Sequence, residues 1–278
     1  MIQFTNNLKT GVLLGLMFAL LVAVGGYMGG YTGIVMAGAI GLIMNFSAWY
    51  FCDQIAIKSM RGQPVGPDDH PWLYESTRRL AEQADLPMPK LYICPIDAPN
   101  ACATGRNPKH SAVAVTRGLL HLLNRQEVEG VIAHELAHIK NRDTLTSTIA
   151  ATIAGIFSML AYWGFLFGMG NRGGGNPLVI VGVLIVGAVG AGILKMAISR
   201  SREFVADADG AQIAGSPDGL ASALQKLDAM SKRVPMNNPN PAMNNMFIVE
   251  PFMGKTLTNL FASHPPVEQR IASLQRLR

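Results

Sequence analysis

From Thr10 to Cys52 the chain carries no Asp, Glu, Lys, Arg or His, and this restricts the segment to very few environments. Two membrane spans of about 20 residues joined by a tight connection fit such a run. The connection is visible in Gly25-Gly26-Tyr27-Met28-Gly29-Gly30-Tyr31-Thr32-Gly33, where glycine permits the reversal and tyrosine suits the membrane–water boundary. A second uncharged pair, 144–171 and 173–194, is divided by the turn-forming Asn171-Arg172-Gly173-Gly174-Gly175-Asn176-Pro177. The sequence therefore predicts four transmembrane helices. Two, near 11–29 and 34–52, form a hairpin over 1–53, and two, near 145–168 and 177–195, form a hairpin over 144–195. The first is not read as a cleaved signal peptide, because it runs directly into a second apolar span. For the later pair, a buried helical hairpin of a soluble protein is the alternative.

Composition agrees with a membrane setting: 49% of residues are apolar and 15% charged, against roughly 25% charged in soluble domains. The net charge of +5 comes from basic residues dispersed among acidic ones, without the stripe that nucleic-acid binding requires. Lys9, Lys58, Arg61, Lys140, Arg142, Lys195, Arg200 and Arg202 flank the span ends on one side and Arg172 alone on the other, which predicts cytoplasmic termini and polar segments. Cys52, Cys94 and Cys102 form no CxxC pair, so neither a disulfide framework nor a cysteine zinc site is implied, and a reducing compartment fits.

The polar segments 54–143 and 196–278 read as two parts of one cytoplasmic domain. A helix is predicted over 71–84, short strands over 90–94, 101–104 and 111–116, and a helix starting at Asn124, whose N-cap role Glu127 completes as a capping box. Further helices are predicted over 199–214 and 217–230 with a Gly-Ser-Pro break, an aperiodic loop over 231–255, and a last helix from about Pro266.

Within the first predicted catalytic helix stands His134-Glu135-Leu136-Ala137-His138. Residues four apart share a helix face, so the two imidazoles converge on one metal while Glu135 addresses a water. Val128, Val131, Ile132 and Leu136 supply an apolar face to hold the pair. This chemistry needs a third ligand, and a carboxylate on a separate helix is one solution. Glu203, in Ser199-Arg200-Ser201-Arg202-Glu203-Phe204-Val205-Ala206-Asp207, is the candidate, since the intervening hairpin returns the chain to the same membrane surface. Asp207, four residues on, can accept the outer N–H of a ligand histidine. A solvated helix face paired with Arg200 and Arg202 is the alternative for both carboxylates. His264, in Ser263-His264-Pro265-Pro266, is placed either to stabilise an oxyanion or to serve structure. His70, His110 and His121 read as ordinary histidines.

On these residues the chain resembles the HtpX family of membrane zinc metalloproteases, relatives of the CAAX prenyl proteases. The resemblance rests on the His134–His138 motif, the 199–207 and 263–266 segments, Asn100-Ala101-Cys102-Ala103-Thr104-Gly105-Arg106, and the four-span layout. It implies a zinc endopeptidase of the bacterial cytoplasmic (inner) membrane that removes misfolded or damaged membrane proteins, alongside other quality-control proteases, with one Zn2+ per chain held by His134, His138 and Glu203. It also implies that a substrate segment adds as a strand along Asn100, Ala101, Cys102 and Ala103; Cys102 stands where phenylalanine is expected in many relatives. The expected fold is thus a four-span α-helical membrane protein with a mainly α (α+β), zincin-like cytoplasmic domain carrying a small sheet. A processing protease for prenylated tails and a catalytically silent membrane scaffold are the other readings.

Overall fold

The structure, a computed structural model, describes residues 2–144, 200–231 and 265–278. The predicted spans near 145–168 and 177–195, most of the aperiodic segment over 231–255, and His264 lie outside the described residues.

Helix α1 (Ile2–Tyr50) is helical on both sides of a reversal at Gly30, where φ is +56°. A β-carbon on Gly38 would stand 3.9 Å from both Phe18 and Val22, whereas in a straight helix these residues would be about 24–30 Å away. The apolar run therefore doubles back where the glycines permit a left-handed residue. The window Gly30–Ser47 is long and apolar enough to cross a membrane, and only 6% of it is buried, so no core among the described residues covers its apolar surface.

After Phe51 the short helix α2 (Cys52–Ser59) lies across one face of a four-stranded sheet. The strands are β1 (Gln63–Pro64), β2 (Lys90–Cys94), β3 (Ala101–Asn107) and β4 (His110–Thr116), in the order β1-β2-β4-β3. The β2/β4 pair is parallel and the other two are antiparallel. This leaves β3 at an edge, as the strand-addition expectation needs. It runs three residues beyond the predicted end because Asn107 accepts the His110 amide at 3.0 Å and closes a hairpin. Alternation divides the sheet's side chains: Cys94, Cys102, Ala112 and Ala114 pack under Ile57 and Met60, while Ala101, Val113 and Val115 join the main core.

That core is closed by helices. Pro71 at the first turn starts α3 (Pro71–Gln83), and Thr116 caps α4 (Arg117–Leu122) by accepting the Leu119 amide. The long helix α5 (Arg125–Lys140) begins with the predicted capping box: the Asn124 side chain accepts the Glu127 amide at 3.0 Å, and Glu127 accepts the Asn124 amide at 2.8 Å. Val131, Ile132 and Leu136 are fully buried along it. Two more helices pack on α5, namely α6 (Arg200–Ala214) and α7 (Asp218–Ser231), with α8 (Val267–Gln275) against both of these. Gly215, at φ +77°, makes the break between α6 and α7. A β-carbon at Gly130 would collide with the Leu220 amide nitrogen, so α7 approaches at backbone distance.

Glu127 also ties α5 to α7, accepting Ser222 Oγ at 2.6 Å and Lys226 Nζ at 2.8 Å. Burial pushes its carboxyl up, but the hydrogen bonds from Lys226, Ser222 and Asn124 outweigh this, and the net displacement is down from 4.5. A depressed carboxylate contributes stability that is present above its unfolded value and is lost as the pH falls through its folded value. Glu127→Gln should therefore destabilise the domain by about 2 kcal/mol at neutral pH. In thermal unfolding at a series of pH values, the difference from wild type should shrink below about pH 4.

Candidate metal centre

His134 and His138 lie on α5, one turn apart, and are brought against Glu203 and Asp207 on α6 by a close helix crossing. The crossing depends on Gly210, where a β-carbon would stand 2.9 Å from the backbone N and Cα of His134. Glu203, Asp207 and Gly210 are spaced i, i+4, i+7, so they share one face of α6. Both carboxylates are buried, at 5% and 1% exposure, which excludes the solvated-face alternative.

The Nε2 atoms of His134 and His138 stand 3.1 Å apart. Glu203 lies 3.7 Å from the first, through Oε2, and 3.6 Å from the second, through Oε1. Ligand atoms bonded to a tetrahedral zinc at about 2.0–2.1 Å stand about 3.3 Å apart, so these spacings fit the edges of such a site. Each imidazole is oriented from behind, His134 Nδ1 by Asp207 Oδ1 at 3.0 Å and His138 Nδ1 by Asp143 Oδ2 at 3.2 Å. That leaves both Nε2 atoms facing Glu203, the arrangement in which carboxylates fix ligand tautomers.

Charge makes a second, independent test of fit. Glu135, Asp143, Glu203 and Asp207 are all buried here, and among the described residues the buried cations beside them are Arg202 and Arg270. Four carboxylates against two guanidiniums leave an excess that a divalent cation neutralises. In the protein alone, burial disfavours the charged form of His138, yet the hydrogen bond to Asp143 and the charges of Glu203, Asp143 and Glu135 outweigh it, raising its pKa to about 9. A cation would replace that proton.

Two residues of this array escaped the sequence reading. Asp143 is one. The other is Arg270 on α8, fully buried and bidentate to Asp207 at 2.7 and 2.8 Å, with Nη1 3.4 Å from Glu203. Burial disfavours the ionised form of Asp207, but the Arg270 charge and hydrogen bonds hold its carboxyl below the usual aspartate range. The available signal was Val267, Arg270, Ile271 and Leu274, an apolar stripe at helical spacing with one cation in it. Arg202, counted by the sequence as a topology charge, is instead buried with Nη1 3.5 Å from Asp143 Oδ1.

Glu135 sits beside the imidazoles with Oε2 accepting the Ala103 amide of β3 at 2.7 Å. That amide is therefore turned away from β4, and by alternation the Ala101 amide and carbonyl are too. Cys102 differs from the expectation on both counts: its backbone faces β4 and its Sγ lies 3.7 Å from Met60 Sδ, under α2. The Asn100 backbone is engaged with Thr116, donating to Oγ1 at 2.8 Å and accepting the Thr116 amide at 2.9 Å. Of the four expected substrate-binding residues, Ala101 and Ala103 are those whose backbone faces the site.

Comparison with known proteins agrees with this geometry. The description Peptidase family M48 matches residues 67–278. A protease HtpX homolog of Pelotomaculum thermopropionicum is 48% identical over 279 residues, covering 98% of this chain and 99% of its own. One from Pyrococcus furiosus is 45% identical, over 97% of this chain and 95% of its own. The crystal structure of S. mikatae Ste24p superposes with a TM-score of 0.54 at 17% identity, over 98% of this chain and 66% of that one, a likeness of fold. The metal-shaped cluster and the family match along three-quarters of the sequence lead to one assignment: the chain belongs to peptidase family M48, as an HtpX-type metalloprotease.

Proposed function

We propose that this protein is a zinc-dependent endopeptidase of a bacterial cytoplasmic membrane that hydrolyses peptide bonds of misfolded or damaged membrane proteins. In this reading it crosses the bilayer four times, and the catalytic domain and both termini are cytoplasmic. The observation that carries the chemistry is the spacing of the His134, His138 and Glu203 ligand atoms. Two imidazoles and a carboxylate suit zinc among the common divalent ions. The unburied apolar window Gly30–Ser47 and the reversal at Gly30 support the membrane part.

When bound, zinc supplies Lewis acidity that polarises a carbonyl and brings the pKa of water to about 7. Glu135 acts as general base, taking a proton from the attacking water and delivering it to the leaving amine as the C–N bond breaks. Its bond from the Ala103 amide keeps one carboxylate oxygen on the strand and leaves the other to the water. An extended substrate lies along β3, pairing through the outward amide and carbonyl of Ala101 and the outward carbonyl of Ala103, whose amide is held by Glu135. Arg270 holds Asp207 and Glu203 in register behind the histidines. His264 assists the oxyanion in this reading.

The test is digestion of casein and self-cleavage by detergent-purified protein, with and without zinc. Glu135→Ala should lower the rate by about 10²–10⁴-fold while retaining metal, and Glu203→Ala should lose the metal. Undiminished cutting by Glu135→Ala contradicts the assignment, and a wild type that holds zinc yet cuts nothing favours a scaffold. Asp143→Asn should weaken zinc binding by roughly 10–100-fold, measured by competition with a chelating dye.

A further inference from the structure

The close of the first apolar run and the opening of the second converge on one tip of the edge strand. Tyr50, closing the first run, accepts Arg106 Nη1 through its carbonyl at 2.8 Å, and the Arg106 guanidinium lies 4.3 Å over the Tyr50 ring. Thr144, opening the second run, donates from Oγ1 to the Gly105 carbonyl at 3.2 Å. Gly105 and Arg106 are neighbours on β3, so two independent anchors tie the same point of the strand to the boundaries of both apolar runs. Phe46, Trp49, Tyr50 and Phe51 cluster there with large exposed surfaces, as aromatic residues do at a membrane–water interface. Ile57 of α2 and Met60 just after it pack on the sheet face beneath, so the strand is packed against the segment that follows α1.

The distance from this boundary to the chemistry is short by two routes. Along β3, Ala103, which binds Glu135, is three residues from Arg106, or about 10 Å. Along the helices, Asp143 adjoins Thr144 and orients the ligand His138, and Glu203 is three residues beyond Arg200. A substrate strand paired with β3 advances by the same rise per residue as β3 itself.

We infer that the fold is a ruler: it cuts membrane-anchored substrates within roughly three to six residues of the point where their chain leaves the bilayer. The inference rests on the membrane-protease reading above and gives it a specificity that depends on position more than on sequence. Glu135 and the ligand histidines meet the substrate segment at a fixed height because Arg106 and Thr144 fix the tip of β3 at the boundary.

The experiment uses full-length, zinc-loaded protein in proteoliposomes with single-span substrates. One cleavable sequence is placed about 4, 8, 16 and 32 residues from the span within a resistant spacer. Casein digestion by the same liposomes runs in parallel. The expected result is cutting at the shortest spacing and a drop of at least about tenfold by 16 residues, with mass-spectrometric sites clustered near the boundary. Equal cutting at all spacings, or only the slow decline with length that a flexible tether gives, overturns the ruler. Loss of casein digestion would instead count against the protease reading, so the two failures are distinguishable.

Discussion

Among the described residues, four carboxylates are withdrawn from water between α5, α6 and the end of β3 beside two guanidiniums, and holding this buried charge is the constraint on which the domain depends. Burying an uncompensated charge costs several kcal/mol, so the array is tenable because every group in it is held at close range. Arg270 clasps Asp207, Asp207 and Asp143 hold the histidines, and the remaining excess faces the histidine Nε2 atoms where a dication fits. The helix contacts serve this arrangement. Gly210 and Gly130 let α6 and α7 reach the backbone of α5, which a side chain at either position would prevent.

The same close packing explains what could and could not be read from the residues. The histidine pair, its helix and the cap at Asn124 are legible because each depends on short-range spacing, whereas the place of the 101–104 strand beside the site comes only from the family resemblance. Glu203 and Asp207 were legible once the metal demanded a third ligand and an orienting carboxylate. Asp143 and Arg270 were not singled out, since nothing local distinguishes them; Arg270 becomes notable through contacts across more than sixty residues to Asp207. Cys102 was grouped with its neighbours as substrate-binding, but strand alternation turns it to the α2 face, a distinction that requires knowing which strand lies on which side. Arg202, read from the sequence for its position beside an apolar run, is also buried 3.5 Å from Asp143, a contact that its sequence position does not reveal.

Function follows from where this array sits. Glu135 accepts the Ala103 amide of β3, so the carboxylate beside the histidines is fixed to the sheet. That strand is in turn tied by Arg106 and Thr144 to the ends of the apolar runs. The candidate metal centre and the ends of the apolar runs are thereby joined through one strand, which in the proposed function carries position from the bilayer to the chemistry.

The claim on which all of this depends is that His134, His138 and Glu203 hold a divalent metal. Zinc-edge X-ray absorption of the purified protein tests it directly. The account predicts nitrogen and oxygen scatterers at about 2.0–2.2 Å with the outer-sphere pattern of two imidazoles. A sulfur scatterer near 2.3 Å, or zinc retained with an unchanged spectrum in Glu203→Ala, would contradict it.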